Sequence, residues 1–129
     1  MKDATKKTIV LIEDEEVVVN LLTKKLQTAG YEVKTATDGI SGLELIHTAT
    51  PDLVLLDMIL PRLSGLGVLK KLAEEKILPG LPVVIISATA GSDVRGPLEA
   101  LGIAAFLNKP VQIPVVVRVL EEVLAHVSR

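Results

Sequence analysis

The chain has 129 residues, 49% of them apolar, which is enough for one domain with a real core and too few for two. Acids outnumber bases 16 to 14, the paired lysines are scattered along the chain, and Tyr31 and Phe106 are the only aromatics. Neither a basic face nor a stacking platform for nucleic acid is available. Cysteine is absent, which excludes disulfides and thiolate metal sites, and no apolar run approaches the ~20 residues of a membrane span. A soluble cytoplasmic protein is expected, with no direct contact to nucleic acid or membrane.

Residues 1–7 are polar and charged and read as a tail, leaving 8–129 as the domain. Thr8-Ile9-Val10-Leu11-Ile12 is a β-branched apolar run that stops at the acidic cluster Glu13-Asp14-Glu15-Glu16. Val18, Leu22, Leu26 and Ala29 then recur at helical spacing, and Gly30 supplies the left-handed residue that ends many helices. Glu32 to Ala36 alternates like a strand. Asp38-Gly39 opens a helix with Ile40, Leu43, Leu45 and Ile46 on its apolar side, and Thr50-Pro51-Asp52 breaks it. Leu53-Val54-Leu55-Leu56-Asp57 is apolar without alternation, as in a strand covered on both faces, and it carries Asp57 at its carboxyl end.

After Pro61, Arg62-Leu63-Ser64-Gly65 reads as a loop, and Leu66, Leu69 and Leu72 as the buried stripe of a helix closed by Leu78-Pro79-Gly80-Leu81-Pro82. Val83 to Ser87 is a second fully apolar strand, this one ending in a hydroxyl. Residues 88–96 read as a loop. Pro97 belongs at a first helical position, which predicts a very short helix to Leu101 with Gly102 closing it. Ala104 to Leu107 reads as the last strand, followed by Asn108-Lys109-Pro110 and a final helix from about Ile113. Ile113, Val116, Val117, Leu120, Val123, Leu124 and Val127 form the stripe of that helix; Val115 and Val119 fall beside it, as stripe edge or as a partner surface with the short fourth helix. Alternating strands and helices predict a doubly wound α/β fold, with five parallel strands, helices on both faces and right-handed crossovers.

Four strand ends then carry Glu13 with Asp14, Asp57, Ser87 and Lys109. In a parallel sheet all of them lie on one edge, where open α/β sheets bind ligands. Crowded carboxylates repel unless a cation sits among them, and oxygen donors without His or Cys suit a partly hydrated Mg²⁺. Asp57 can also act as a nucleophile, as in aspartyl-phosphate chemistry. Lys109 and the Ser87 hydroxyl supply the charge and hydrogen bonding that phosphoryl transfer requires. His47 and His126, with no acid or second histidine at ligand spacing, read as surface residues and not as phosphohistidine candidates.

The motifs Glu13-Asp14, Asp57-Met58-Ile59-Leu60-Pro61 with Gly65, Ser87-Ala88, and Phe106 three residues before Lys109-Pro110 resemble those of the receiver domains of bacterial two-component response regulators. The resemblance covers residues 8–127. It implies a flavodoxin-like sheet in the order 2-1-3-4-5, and Asp57 as acceptor of a phosphoryl group from a histidine kinase or phosphotransfer protein. It implies Mg²⁺ held by Glu13, Asp14, Asp57 and the Ile59 backbone carbonyl, Lys109 and Ser87 as phosphoryl-binding groups, and a Lys109–Pro110 bond that is usually cis. Ser87 and Phe106 become the switch pair, acting on a downstream effector through the fourth helix, fifth strand and fifth helix, a surface also suited to homodimerisation. Ile103-Ala104-Ala105 stands where the family usually carries acids, which weakens assignment to the DNA-binding subclass that dimerises through charged pairs.

Two other classes compete. A constitutive docking module would keep the acids and switch nothing. A Mg²⁺ phosphotransferase or nuclease would need a second acid that Asp57-Met58-Ile59 lacks, a haloacid-dehalogenase-like phosphatase an Asp-x-Asp that Glu13-Asp14-Glu15 does not supply, and flavin mononucleotide binding a hydroxyl-rich loop in place of this acidic one.

Overall fold

The computed structural model describes residues 6–88 and 92–127, with 92–95 and 127 described by their backbone alone. The elements are β1 (Thr8–Ile12), α1 (Glu16–Thr28), β2 (Glu32–Ala36), α2 (Gly39–Ala49), β3 (Leu53–Asp57), α3 (Gly65–Glu74), β4 (Val83–Ser87), α4 (Ser92–Ala100), β5 (Ala105–Asn108) and α5 (Ile113–Val127). All pairings are parallel and the strand order is β2-β1-β3-β4-β5, the flavodoxin-like order expected.

The non-alternating strands are covered on both sides, as their composition demands. Val10, Ile12, Val54, Leu56, Val83 and Ile85 point into one layer with Ile46 of α2, Val68, Leu69 and Leu72 of α3, and Leu98 of α4. Ile9, Leu11, Leu53, Leu55, Val84 and Ile86 point into the other with Leu22 and Leu26 of α1 and Val116, Leu120 and Leu124 of α5. Every residue of β1, β3 and β4 is buried, so each strand end is held rigidly from both faces. Among the described residues no helix is long and apolar enough to cross a membrane.

Several boundaries differ from expectation. The fourth helix is not a short one opened by Pro97: it runs from Ser92 to Ala100 with Pro97 inside it. An interior proline removes one backbone hydrogen bond, and Leu98, 1% exposed, anchors the helix on the sheet regardless. Residues 89–91 of the expected 88–96 loop and residues 1–5 of the expected tail lie outside the described residues. The last strand is shifted by one, because the Ala104 N–H donates to the Val83 carbonyl as a lead-in and Ala105 is the first residue in register, opposite Val84.

On α3 the buried stripe is Val68, Leu69 and Leu72, and Leu66 is exposed. On α2, Ile40 is exposed as well, while Gly42 and Ile46 face the core. On α5, Val119 packs half-buried against the core beside the fully buried Val116, Leu120 and Leu124, which is the stripe-edge position; the side chain of Val127 lies outside the described residues.

Candidate functional site

The carboxyl ends of β1, β3, β4 and β5 converge on one edge, and the polar residues that follow them meet there. Glu13 leaves β1 with its N–H donated to the Ala36 carbonyl at 3.0 Å, and its side chain is fully buried. Asp57 ends β3 and is 4% exposed. Its Oδ1 accepts the Ile59 backbone N–H at 3.2 Å and its Oδ2 accepts from Lys109 Nζ at 3.0 Å. Lys109 follows β5, and its own N–H donates to the Ser87 carbonyl at 2.8 Å, tying the last two strand ends together. The Lys109–Pro110 peptide is cis.

Glu13, the exposed Asp14 and Asp57 each present a carboxylate oxygen within 4.8 Å of the others. Lys109 Nζ contacts Glu13 Oε1 at 2.9 Å, Glu15 Oε1 at 2.5 Å and Asp57 Oδ2 at 3.0 Å. The contact to Glu13 lacks hydrogen-bond alignment, so Glu13 Oε1 is buried without a hydrogen-bond partner. Glu13 Oε2 accepts the Glu15 backbone N–H at 3.0 Å. Burial raises the Glu13 pKa above the ordinary glutamate value; Lys109 and the Glu15 N–H pull it down, and the neighbouring Asp57 pushes it up again. Burial works against the Lys109 charge, but contacts with Glu15, Glu13 and Asp57 outweigh it and hold the ammonium above the ordinary lysine range.

Glu13, Glu15 and Asp57 thus share one ammonium, Asp14 adds a further carboxylate beside Glu13 and Asp57, and one buried carboxylate oxygen still lacks a hydrogen bond. Such an excess of hard oxygen donors fits a divalent cation of the Mg²⁺ type, with Glu13, Asp14 and Asp57 as the residues able to hold it.

Glu13, Asp14, Asp57 and Lys109 are therefore brought together as the sequence predicts. Ser87 is buried at the neighbouring strand end. Ile59 has its N–H on Asp57 Oδ1 and is 64% exposed. Phe106 is half-buried and packs into the α2–α3–α4 layer, in register with Ile85. Glu15 was not singled out from sequence. Its signal is weak, a third acid in a run that a helix N-terminus favours anyway, and its partner lies 94 residues away. His47 and His126 are exposed as expected, but His47 does have an acid: Nε2 lies 2.8 Å from Glu75 Oε1, a partner 28 residues along that spacing alone does not reveal.

Residues 9–121 match the family model described as the response regulator receiver domain. The chain is 32% identical over 108 residues to the polar-differentiation response regulator DivK of Brucella ovis, covering 84% of this chain and 88% of that protein. It is 40% identical over 82 residues to the alkaline phosphatase synthesis transcriptional regulatory protein PhoP of Bacillus subtilis, which is 64% of this chain but only 33% of that relative's length. Among solved structures, a CheY-like response regulator receiver domain protein from Methanospirillum hungatei superposes with a TM-score of 0.88 at 25% identity, covering 96% of this chain and 98% of the other. The receiver domain of a putative LuxO repressor protein from Vibrio parahaemolyticus shares the fold at a TM-score of 0.89 and 24% identity, with 95% and 93% covered. With its sheet order, its acidic strand ends and a family match that runs from β1 into α5, the chain belongs to the response regulator receiver domain family.

Proposed function

We propose that the chain is a phosphorylation-switched receiver: Asp57 takes a phosphoryl group from the phosphohistidine of a cytoplasmic sensor histidine kinase or phosphotransfer protein. The observation that carries this is the Asp57 carboxylate, buried at a strand end, oriented through both oxygens by the Ile59 N–H and Lys109, and accompanied by two further carboxylates within 4.8 Å. An Asp57 oxygen attacks phosphorus as the phosphorus–nitrogen bond breaks, and the electron pair leaves with the imidazole. Lys109 binds a phosphoryl oxygen and the Ser87 hydroxyl donates to another. Mg²⁺ held by Glu13, Asp14, Asp57 and the Ile59 carbonyl supplies neutralisation of the entering charge.

The readout is a population shift in which Ser87 and Phe106 move together and the α4-β5-α5 surface binds a downstream effector, or a second copy, differently. Phe106 bridges strand and helix layers, which supports such coupling. The domain catalyses only its own phosphorylation and dephosphorylation.

Beryllofluoride with Mg²⁺ mimics the aspartyl phosphate, and its addition is expected to shift the amide signals of Ser87 and Phe106. Unchanged spectra overturn the proposal. Asp57→Asn is expected to abolish phosphorylation and partner switching; partner binding indifferent to that change would instead mark a constitutive docking module.

A further inference from the structure

The Lys109 ammonium donates hydrogen bonds to Glu15 at 2.5 Å and Asp57 at 3.0 Å and lies in ionic contact with Glu13 at 2.9 Å. Two of these partners are fixed, with side chains 0% and 5% exposed for Glu13 and Asp57, whereas Glu15 lies at the rim with its side chain 59% exposed. Glu15 is also the N-cap residue of α1, a position where a short side chain normally satisfies a free backbone N–H. Its carboxylate makes no such cap and is spent on Lys109 instead. The backbone beneath it is held, with its N–H on Glu13 Oε2 at 3.0 Å and its carbonyl accepting the Val19 N–H at 2.9 Å. A pinned backbone therefore carries an exposed carboxylate onto the Lys109 ammonium.

We infer that Glu15 occupies the place on Lys109 that a phosphoryl oxygen takes, and acts as a built-in competitor that must be displaced when Asp57 is phosphorylated. This rests on the reading of Asp57 as phosphoryl acceptor. Neither Glu13 nor Asp57 can withdraw from Lys109 without leaving a buried charge uncompensated. Glu15 can turn into solvent, because an exposed ion pair contributes little. Exchanging its carboxylate for a phosphoryl oxygen keeps that hydrogen bond of Lys109 occupied. Glu15 is thus a positioning residue that sets how readily the unmodified site admits an anion. It stands outside the group of carboxylates that converge for a cation.

The test is beryllofluoride affinity at saturating Mg²⁺, followed by amide shifts and by the Lys109 Nζ resonance. Glu15→Gln is expected to bind about threefold more tightly than wild type, with unchanged Mg²⁺ affinity and thermal midpoint. Glu15→Asp, which keeps the charge but shortens the reach, is expected to tighten binding as well. Glu16→Gln removes a charge from the first turn of α1 next door and is expected to change nothing. Wild-type affinity in Glu15→Gln, weaker Mg²⁺ binding in that variant, or equal tightening in Glu16→Gln overturns the competitor while leaving the acceptor reading intact. A wild type that does not respond to beryllofluoride overturns both.

Discussion

Gly65 sits hard against the backbone of Asp57. A Cβ on Gly65 would lie 2.5 Å from the Asp57 carbonyl oxygen and 2.6 Å from the Met58 Cα, and the Gly65 N–H donates to the Met58 carbonyl at 2.9 Å. The start of α3 therefore clamps the strand end that carries Asp57. Gly65→Ala has to force the two apart and is expected to destabilise by about 1–3 kcal/mol, seen as a lower urea midpoint with an unchanged slope. An alanine variant as stable as wild type would show that the contact yields freely.

Glu13→Gln keeps the shape of the buried side chain and removes its charge. Mg²⁺ affinity, followed by amide shifts, is expected to fall about tenfold; equal affinity would remove Glu13 from the ligand set. Without metal the same change acts the other way. The folded-state pKa of Glu13 is raised above its ordinary 4.5, so its contribution to stability is fully present below that value and is lost as pH rises through the folded value. At neutral pH the metal-free Glu13→Gln variant is therefore expected to be at least as stable as wild type, with its advantage shrinking as pH is lowered toward 4.5.

Lys109 should keep its proton above the ordinary lysine range. Its ammonium is held above the ordinary 10.5, so the stabilisation it provides is fully present below that pH and disappears only as pH climbs through the higher folded value. At pH 10.5 its Nζ resonance is expected still to report the charged form. A Lys109 signal already half titrated at that pH would contradict the ion cluster, and Asp57→Asn is expected to lower the pH at which it titrates.

Ile59, two residues after Asp57, carries an apolar side chain and is 64% exposed. It offers attacking water no hydrogen bond, so the aspartyl phosphate is expected to be long-lived. Ile59→Asn should speed hydrolysis about tenfold, measured as decay of the phosphorylated form; an unchanged decay rate would show that water is positioned elsewhere.

The fold and the heart of the site were legible because they rest on short-range signals. Apolar runs without alternation identified β3 and β4, and residue order placed Glu13, Asp57, Ser87 and Lys109 at the ends of β1, β3, β4 and β5. What escaped depends on tertiary geometry. Pro97 is a plausible helix opener from local chemistry, yet α4 begins at Ser92 and carries the proline in its interior. Leu66 was favoured over Val68 on α3, yet the clamp of Gly65 on Met58 sets the rotation of that helix and turns Val68 inward. Glu15 needed both the backbone direction at the α1 N-cap and a lysine 94 residues distant.

The near absence of aromatics has an experimental use. The single phenylalanine packs into the α2–α3–α4 layer from the β5 edge, and the single tyrosine into the α1–α5 layer just before β2 at the opposite edge. Each half of an otherwise aliphatic, methyl-rich interior thus carries one ring of its own. Methyl resonances displaced by the Phe106 ring report on one side of the sheet and those displaced by Tyr31 on the other, so rearrangement of either layer can be read against its neighbour within a single spectrum.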